Sequence, residues 1–239
     1  MPLPVTLTKK DVLSSINESD DEIIRIITEE VQKALGETRV PIKKDQDYPS
    51  IPLGVSNRHI HITQETFSKL FGAETIFESE RPLYQPGEFA SKHYLSVIGP
   101  KMRALQNVRI LGPMRKFDQV EISLSDAIFL GIDAPVRNSG DLRDAAALTL
   151  VGPQGSIFLK HCAIVASRHI HMTSEHAKIF GVSNGEYCRV RIPGIKGIIF
   201  ENVLIRVNDD WKLQMHLDTD DANAANVRDQ VEVEFIGKM

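Results

Sequence analysis

Two copies of the tetrapeptide Arg-His-Ile-His are the part of this sequence best suited to chemistry. One copy spans Arg58 to His61 and the other spans Arg168 to His171. The surrounding residues predict strands, in which residues i and i+2 point to the same face with Cα atoms about 6.7 Å apart. The two imidazoles of each copy can therefore bind one Zn²⁺ ion together, at about 2.0 to 2.1 Å. The alternative is a pair of polar histidines on an exposed barrel face, but the recurrence of the pair favours a metal site.

Each histidine pair is followed by residues that are typical of a helix start. Thr63 and Thr173 are predicted N-caps, and Glu65 and Glu175 fall in the first turns, where the helix dipole favours a carboxylate. The spacing of these glutamates after the histidines also matches the first metal motif of cupins, in which the glutamate is a ligand on a strand. The helix-start residues favour the first interpretation for both glutamates.

Glu121 and His216 are the other residues whose surroundings suit a metal ligand. Glu121 alternates onto one strand face with Gln119 and Ser123, and His216 lies on a late predicted strand before an acidic turn. The remaining histidines are predicted to be surface or hydrogen-bonded residues: His93, His161 and His176. Neither Glu121 nor His216 would be notable without the two histidine pairs.

Arg115 is a candidate anion clamp, because a guanidinium group binds phosphate through two parallel hydrogen bonds. The alternative for Arg115 is a solvated basic turn shared with Lys116. Cys162 and Cys188 lie in no motif with a neighbouring base, which disfavours a cysteine nucleophile.

The composition excludes several classes of protein. A chain of 239 residues with 42% hydrophobic and 25% charged residues is an ordinary globular protein of one large or two small domains. Its formal charge of −4 argues against a nucleic-acid binder that relies on a broad basic field. Two cysteines and a start without an apolar leader predict a reducing cytosol. No apolar run approaches the roughly 18 residues of a membrane span, so we expect no membrane partner.

The chain divides into a helical start and a mainly β remainder. Residues 1–36 predict an amphipathic helix with the apolar positions Ile23, Ile27, Val31 and Leu35. Residues 37–52 predict a linker with a strand around Arg39 to Ile42. Short β-branched runs then alternate with turns, which predicts barrels or sandwiches with short helices.

An internal repeat predicts two related β units. Val55 to Ala73 recurs at Val165 to Val182 with an offset of 110 residues, and a weaker echo joins the segments that end at Pro100 and Pro153. We therefore predict two small β-barrels related by duplication, over residues 53–163 and 164–239. The two Arg-His-Ile-His motifs could then meet at one cleft.

Several separated motifs resemble those of the phosphate propanoyltransferase family, the phosphotransacylases of bacterial microcompartments. They are VSNRHIHIT, LGPMRKFDQVEIS, APVRNSGDL, ASRHIHMT and MHLDTDDANAA, and the resemblance covers about residues 50–236. It implies a pair of small β-barrels in which an early strand joins the C-terminal barrel, with a two-zinc site between them. It also implies reversible acyl transfer from acyl-CoA, expected to be propanoyl-CoA, to inorganic phosphate, as in propanediol degradation.

The resemblance also implies roles for individual residues. One zinc ion would be bound by His59, His61 and Glu121, and the other by His169, His171 and His216. Arg115 would bind phosphate. The coenzyme would contact Val55, Ser56 and Asn57 and, by similarity of segments, Lys101, Arg109 and Asn223.

Alternatives remain open for the activity and for the N-terminal helix. A two-metal hydrolase of thioesters or phosphoesters and a metal-stabilised binding or scaffold module would fit the same ligands. Microcompartment enzymes commonly carry a short amphipathic helix that docks on shell or cargo proteins, so we expect the chain inside such a compartment in the cytoplasm. The helix could instead pack on its own barrel or on a sister subunit of a homodimer.

Overall fold

Fourteen strands and four short helices make up the part of the chain that the computed structural model describes, residues 48–227 and 231–239. The prediction of a mainly β fold is confirmed. The predicted N-terminal amphipathic helix and the strand around Arg39 to Ile42 lie outside the described residues. None of the described helices is long and apolar enough to cross a membrane.

Six strands close into an N-terminal barrel. In pairing order they are β2 (His59–His61), β6 (Gln119–Ile122), β9 (Gly155–Ala166), β8 (Ala146–Gly152), β4 (Phe89–Ile98) and β5 (Ala104–Gly112), which returns to β2. Two more strands extend this sheet: β3 (Ser79–Pro82) pairs with β4, and β7 (Val136–Arg137) pairs with β9.

Six strands also close the C-terminal barrel, so the prediction of two small β-barrels is confirmed. In pairing order they are β1 (Ile51–Ser56), β13 (Gln214–Asp218), β10 (His169–Met172), β12 (Ile198–Val207), β11 (Tyr187–Ile192) and β14 (Glu232–Lys238). Strand β1 precedes the N-terminal barrel in the chain, yet it pairs with β13 and β14. The expectation that an early strand joins the C-terminal barrel is therefore confirmed, but its bounds differ: residues 53–56, which were assigned to the first barrel, belong to the second.

Each of the four described helices directly follows a strand that carries candidate ligands. They are α1 (Gln64–Phe71), α2 (Leu124–Leu130), α3 (Ser174–Phe180) and α4 (Thr219–Ala224). The hydroxyls of Thr63 and Thr173 cap α1 and α3 by accepting a backbone N–H, as predicted. Glu65 and Glu175 lie in the first turns of these helices, and Glu65 forms an exposed ion pair with Lys69. The helical interpretation of both glutamates is confirmed.

The central isoleucine of each Arg-His-Ile-His motif anchors its strand in a core. Ile60 lies in the core of the N-terminal barrel and Ile170 in that of the C-terminal barrel, both fully buried. Complete burial of such a side chain stabilises the fold by about 1.5 to 3 kcal/mol. Because successive side chains of a strand point to opposite faces, a core-facing isoleucine directs both flanking histidines away from the core.

The weaker sequence echo has a different origin from the duplication. The segments that end at Pro100 and Pro153 contain the ends of β4 and β8, which are neighbouring strands of the same barrel. They pair antiparallel, with Val97 opposite Leu150. This echo therefore does not relate one barrel to the other, in contrast to the Arg-His-Ile-His repeat.

A glycine in each of these two segments allows a helix end to approach the barrel. A Cβ on Gly152 would lie 2.7 Å from the carbonyl oxygen of Leu70 in α1, which is closer than side chains tolerate. Gly99 meets the carbonyl group of Leu130 in α2 in the same way. The echo thus reflects two similar contacts between a helix end and a strand end.

We predict that Gly152→Ala lowers the free energy of unfolding by about 1 to 3 kcal/mol, because the added methyl group overpacks a contact with backbone atoms. Urea denaturation measures the change. The control is Gln154→Ala, an exposed side chain two residues away, which should stay within about 0.5 kcal/mol of the wild type. A Gly152→Ala protein as stable as the control would contradict this contact.

Gln85 connects the two barrels through its side chain. It lies in the loop between β3 and β4 and is only 3% exposed. Its amide nitrogen donates to the carbonyl oxygen of Lys212 at 3.1 Å and to Oε1 of Gln214 at 3.2 Å. Its amide oxygen accepts from the backbone N–H of Lys212 at 3.1 Å. One side chain thereby satisfies both backbone groups of a residue beside the C-terminal barrel.

We predict that Gln85→Ala destabilises the chain by about 1 to 3 kcal/mol, because it leaves partly buried polar groups of Lys212 and Gln214 without partners. Urea denaturation tests the stability, and hydrogen exchange at Lys212 should accelerate. Gln64→Ala is the matched control, since that glutamine is exposed on α1. Equal stability and unchanged exchange in Gln85→Ala would rule out a stabilising contact between the barrels.

Candidate metal centre

The two Arg-His-Ile-His strands are paired with their neighbours in the same register. In the N-terminal barrel, His59 lies opposite Glu121 and His61 opposite Gln119. In the C-terminal barrel, His169 lies opposite His216 and His171 opposite Gln214. The duplication therefore includes a second segment, QVEISLSD from residue 119 and QMHLDTDD from residue 214, that the sequence comparison missed. The two copies of this segment are identical only at their first and last residues, so sequence identity alone does not reveal the repeat.

The first cluster contains His59, His61 and Glu121. The Nε2 atom of His59 lies 3.6 Å from one carboxylate oxygen of Glu121, and that of His61 lies 3.8 Å from the other. Ligands placed about 2.0 to 2.2 Å from a tetrahedral zinc ion are separated by roughly 3.3 to 3.6 Å. The three side chains are therefore close to the spacing that a metal ion needs, with two nitrogen ligands and one oxygen ligand.

The second cluster contains His169, His171 and His216. The ring centroids of the three imidazoles are 4.7 to 4.9 Å apart. One ligand atom from each residue lies within 4.8 Å of the others, as in the first cluster. This set offers three nitrogen ligands, and His216 takes the position that Glu121 has in the other barrel.

Backbone carbonyl groups orient one histidine of each cluster. The Nδ1 atom of His59 lies 2.8 Å from the carbonyl oxygen of Asn57, and the Nδ1 atom of His169 lies 2.8 Å from that of Ser167. A carbonyl oxygen accepts only, so Nδ1 carries the proton and Nε2 keeps a free lone pair. This arrangement is typical of metal-binding histidines.

Several buried nitrogens in the clusters have no hydrogen-bond partner among the described residues. They are Nδ1 of His61, both ring nitrogens of His171 and Nε2 of His216. An unsatisfied buried polar group costs about 1 to 3 kcal/mol. Imidazole nitrogens and a carboxylate form a donor set that suits Zn²⁺. The residues present therefore fit a metal ion in each cluster.

Burial keeps these imidazoles in the neutral form that binds metals. It lowers the pKa of His169 to about 4, that of His171 to about 2 and that of His216 to about 3, with neighbouring positive groups contributing to each shift. The pKa of His61 is also well below its usual value, chiefly because of burial. Burial opposes ionisation of Glu121, but the polar histidines beside it, a hydrogen bond with Ser139 and the positive charge of Arg115 outweigh this effect, so the pKa of Glu121 is lowered.

The arginine of each motif binds the helix that follows the paired strand. Arg58 holds both carboxylate oxygens of Asp126, at 2.7 and 2.8 Å, and Arg168 lies 3.1 Å from a carboxylate oxygen of Asp221. Both aspartates occupy the third position of their helices, α2 and α4. These ion pairs explain why arginine recurs in the motif, since each one fixes the ligand strand against a helix.

Both clusters line one cleft of about 720 Å³ between the barrels. Of the residues predicted to bind phosphate or coenzyme, the cleft is also lined by Val55, Ser56, Asn57, Arg109 and Arg115. Lys101 and Asn223 are not among its lining residues. Lys101 is exposed and packs beside Gly131, and Asn223 is exposed on α4.

A chain of hydrogen bonds joins Arg115 to the first cluster. Arg115 donates to the hydroxyl oxygen of Ser139 at 3.2 Å, and the amide nitrogen of Gln119 lies 3.0 Å from the same oxygen. The same amide nitrogen of Gln119 donates to Glu121 at 2.6 Å. Glu88 lies 3.6 Å from the guanidinium group of Arg115. Ser139 lies in the motif APVRNSGDL, for which the sequence predicted no site residue.

The remaining histidines and both cysteines lie outside the cleft lining. His93 packs against the rings of Phe67, Phe71 and Phe77, and His161 is exposed on β9. His176 contacts the hydroxyl group of its own N-cap residue. Burial raises the pKa values of Cys162 and Cys188 to about 12, which makes both thiols poor nucleophiles.

Comparisons with known proteins agree with the motifs. A family model described as phosphate propanoyltransferase matches residues 52–228, which include all six residues of the two clusters and Arg115. Three proteins named phosphate propanoyltransferase illustrate the similarity. That of Shewanella putrefaciens is 48% identical over 179 residues, 74% of this chain and 84% of that protein. That of Citrobacter koseri is 50% identical over 176 residues, covering 73% and 83% of the two chains. That of Thermotoga maritima is 41% identical over 201 residues, covering 84% and 94%. The chain therefore belongs to the phosphate propanoyltransferase family.

Proposed function

We propose that the chain is a phosphotransacylase that transfers an acyl group, expected to be propanoyl, reversibly between coenzyme A and inorganic phosphate. Family membership and the names of the similar proteins support this activity. The observation that carries it is the presence of two three-residue clusters and Arg115 along one cleft.

Each cluster would hold one zinc ion. His59, His61 and Glu121 would hold the first, and His169, His171 and His216 would hold the second. When bound by three protein ligands, a zinc ion keeps an open position, stabilises a thiolate as a soft ligand and polarises a phosphate oxygen.

The chain's own residues would orient the two substrates. Arg115 binds the phosphate dianion through its guanidinium group, and Ser139 holds that group in place. A phosphate oxygen forms a bond to the acyl carbon, and the carbon–sulfur bond breaks. Hydrogen phosphate gives up its proton and the thiol of coenzyme A gains one, so the reaction balances. The two cysteines are buried with raised pKa values, which favours direct transfer over a covalent enzyme intermediate.

Coenzyme A would occupy the part of the cleft near Val55, Ser56, Asn57 and Arg109. Arg109 forms an ion pair with Glu80, and its guanidinium group lies 4.4 Å from the ring centre of Tyr94. This aromatic contact would steady a positive charge for a coenzyme phosphate. Lys101 and Asn223 would contact only parts of the coenzyme that extend beyond the cleft.

We predict that the purified chain releases thiol from propanoyl-CoA only when inorganic phosphate is present, and that it holds one zinc ion per cluster. A thiol reagent measures release, and plasma mass spectrometry measures the metal. His61→Ala and His216→Ala should each lose metal and reduce activity by at least about 100-fold, because each removes a ligand. His161→Gln, an exposed histidine, is the control.

Two outcomes would reject the proposed activity. Thiol release without phosphate would indicate a two-metal hydrolase. Bound metal without release from any acyl-CoA would indicate a binding or scaffold module.

We also propose that the N-terminal segment directs the enzyme into a bacterial microcompartment in the cytoplasm. The support is the sequence pattern of residues 20–36, which predicts an apolar helix face for docking on a shell or cargo protein. Deletion of residues 1–36 should leave kcat within about twofold and abolish encapsulation of a fluorescent fusion. Loss of activity or solubility would instead favour packing on the barrel or on a sister subunit. Light scattering of the same samples reports whether the chain is a homodimer.

A further inference from the structure

Arg206 is a half-buried arginine in the cleft for which sequence analysis gave no role. It lies on β12 directly beside His171 in the parallel pairing with β10, and it lines the cleft that holds both clusters. Among the described residues, its guanidinium group has no hydrogen bond or ion pair. Its contact there is with the ring of Trp211, whose centre lies 5.1 Å away.

The other arginines of the cleft differ from Arg206 in this respect. Arg58 pairs with Asp126 and Arg109 with Glu80, and Glu88 lies 3.6 Å from Arg115. Arg81 is exposed to solvent, so water can solvate its charge. A partly buried charge without a partner is destabilising, and a bound anion would remove that cost. Arg206 is thus a cation prepared for an anion that enters the cleft.

The surroundings of Arg206 place this anion near the reacting groups. Trp211 stacks on the ring of His171, with 4.1 Å between the ring centres, so Arg206 and a residue of the second cluster share one aromatic neighbour. Arg115 lines the same cleft from the N-terminal barrel. Burial lowers the pKa of Arg206, and the positive charge of Arg115 also lowers it. The carboxylates that also act on Arg206 are Glu121, which belongs to the first cluster, and Glu88, which faces Arg115.

We infer that Arg206 and Arg115 together bind the phosphoryl group of inorganic phosphate and of the acyl phosphate product. Two guanidinium groups offer several N–H donors in planar arrays, which match the oxygens of a phosphate dianion. Trp211 holds the Arg206 side chain in place through a cation–π contact. The inference rests on the proposed phosphotransacylase activity and adds a second phosphate-binding residue to it, contributed by the opposite barrel from Arg115.

The test compares Arg206→Met, Arg206→Lys and Arg115→Met with the control Arg191→Met. Arg191 is an arginine of the same barrel that pairs with Glu234 and is absent from the cleft lining. For each zinc-loaded protein, titration calorimetry measures the affinity for inorganic phosphate without turnover. Steady-state kinetics then measures KM separately for phosphate and for propanoyl-CoA.

We expect Arg206→Met to weaken phosphate binding and to raise KM for phosphate by about 10- to 100-fold, with KM for propanoyl-CoA within about twofold of the wild type. Arg115→Met should behave similarly. Arg206→Lys keeps the charge but loses the planar fork, so it should fall between Arg206→Met and the wild type. If Arg206→Met does not fold by circular dichroism, the lysine variant alone decides the test.

Two results would overturn the inference while the proposed function stands. Unchanged phosphate affinity with a raised KM for propanoyl-CoA would assign Arg206 to a coenzyme phosphate. Unchanged values for both substrates would mean that the arginine only supports Trp211. Failure of the proposed function is distinguishable from both, because the wild-type chain itself would then lack phosphate-dependent thiol release.

Discussion

The alternation of side chains along two short strands is the constraint on which the rest of the structure depends. In each Arg-His-Ile-His motif the isoleucine is fully buried in a barrel core, so the histidines on either side must face away from that core. A shift of one residue would put the imidazoles into the core and the isoleucine into the cleft. Core packing therefore fixes the positions of the candidate ligands. The arginine of the motif adds a further restraint, because it binds an aspartate at the start of the helix beyond the neighbouring strand.

Duplication made the two clusters alike in geometry, but one substitution makes them unequal in charge. Glu121 and His216 occupy the same register position, so the first cluster carries one negative charge and the second carries none. A divalent ion would thus be better neutralised by the first set of ligands than by the second. Arg206 and Trp211 pack beside His171 of the second cluster, on the less neutralised side. Because Arg115 is linked to the first cluster, each half of the cleft would offer one arginine to a phosphate dianion.

Features that depend on nearby residues were predicted from the sequence better than features that depend on long-range strand pairing. The His-x-His pairs, the helix caps at Thr63 and Thr173 and the mainly β class all follow from spacing within a few residues. The resemblance implied an early strand in the C-terminal barrel, but the boundary at residue 53 was wrong, because β1 pairs with residues more than 150 positions away and local patterns do not mark its end. The echo between the segments that end at Pro100 and Pro153 does not mark the duplication of the barrels. The two segments are similar because each needs a glycine where a helix end contacts a strand end. The roles of Arg206 and Gln85 depend on partners from other elements, which no local pattern reveals.

The location of the two clusters on different barrels means that the joint between the barrels controls the geometry of the site. Strand β1 belongs to the C-terminal barrel and is followed at once by the first histidine pair, so the backbone itself connects the clusters within a few residues. Gln85 adds three hydrogen bonds to the segment that leads into the strand of His216. The backbone N–H of Ser125 donates to Asp220 at 2.7 Å and links α2 to α4. Together these connections oppose a hinge motion between the two barrels. If both clusters act on one acyl carbon, as proposed, the site requires such a rigid joint, because misplacement by about 1 Å costs roughly 100-fold in rate.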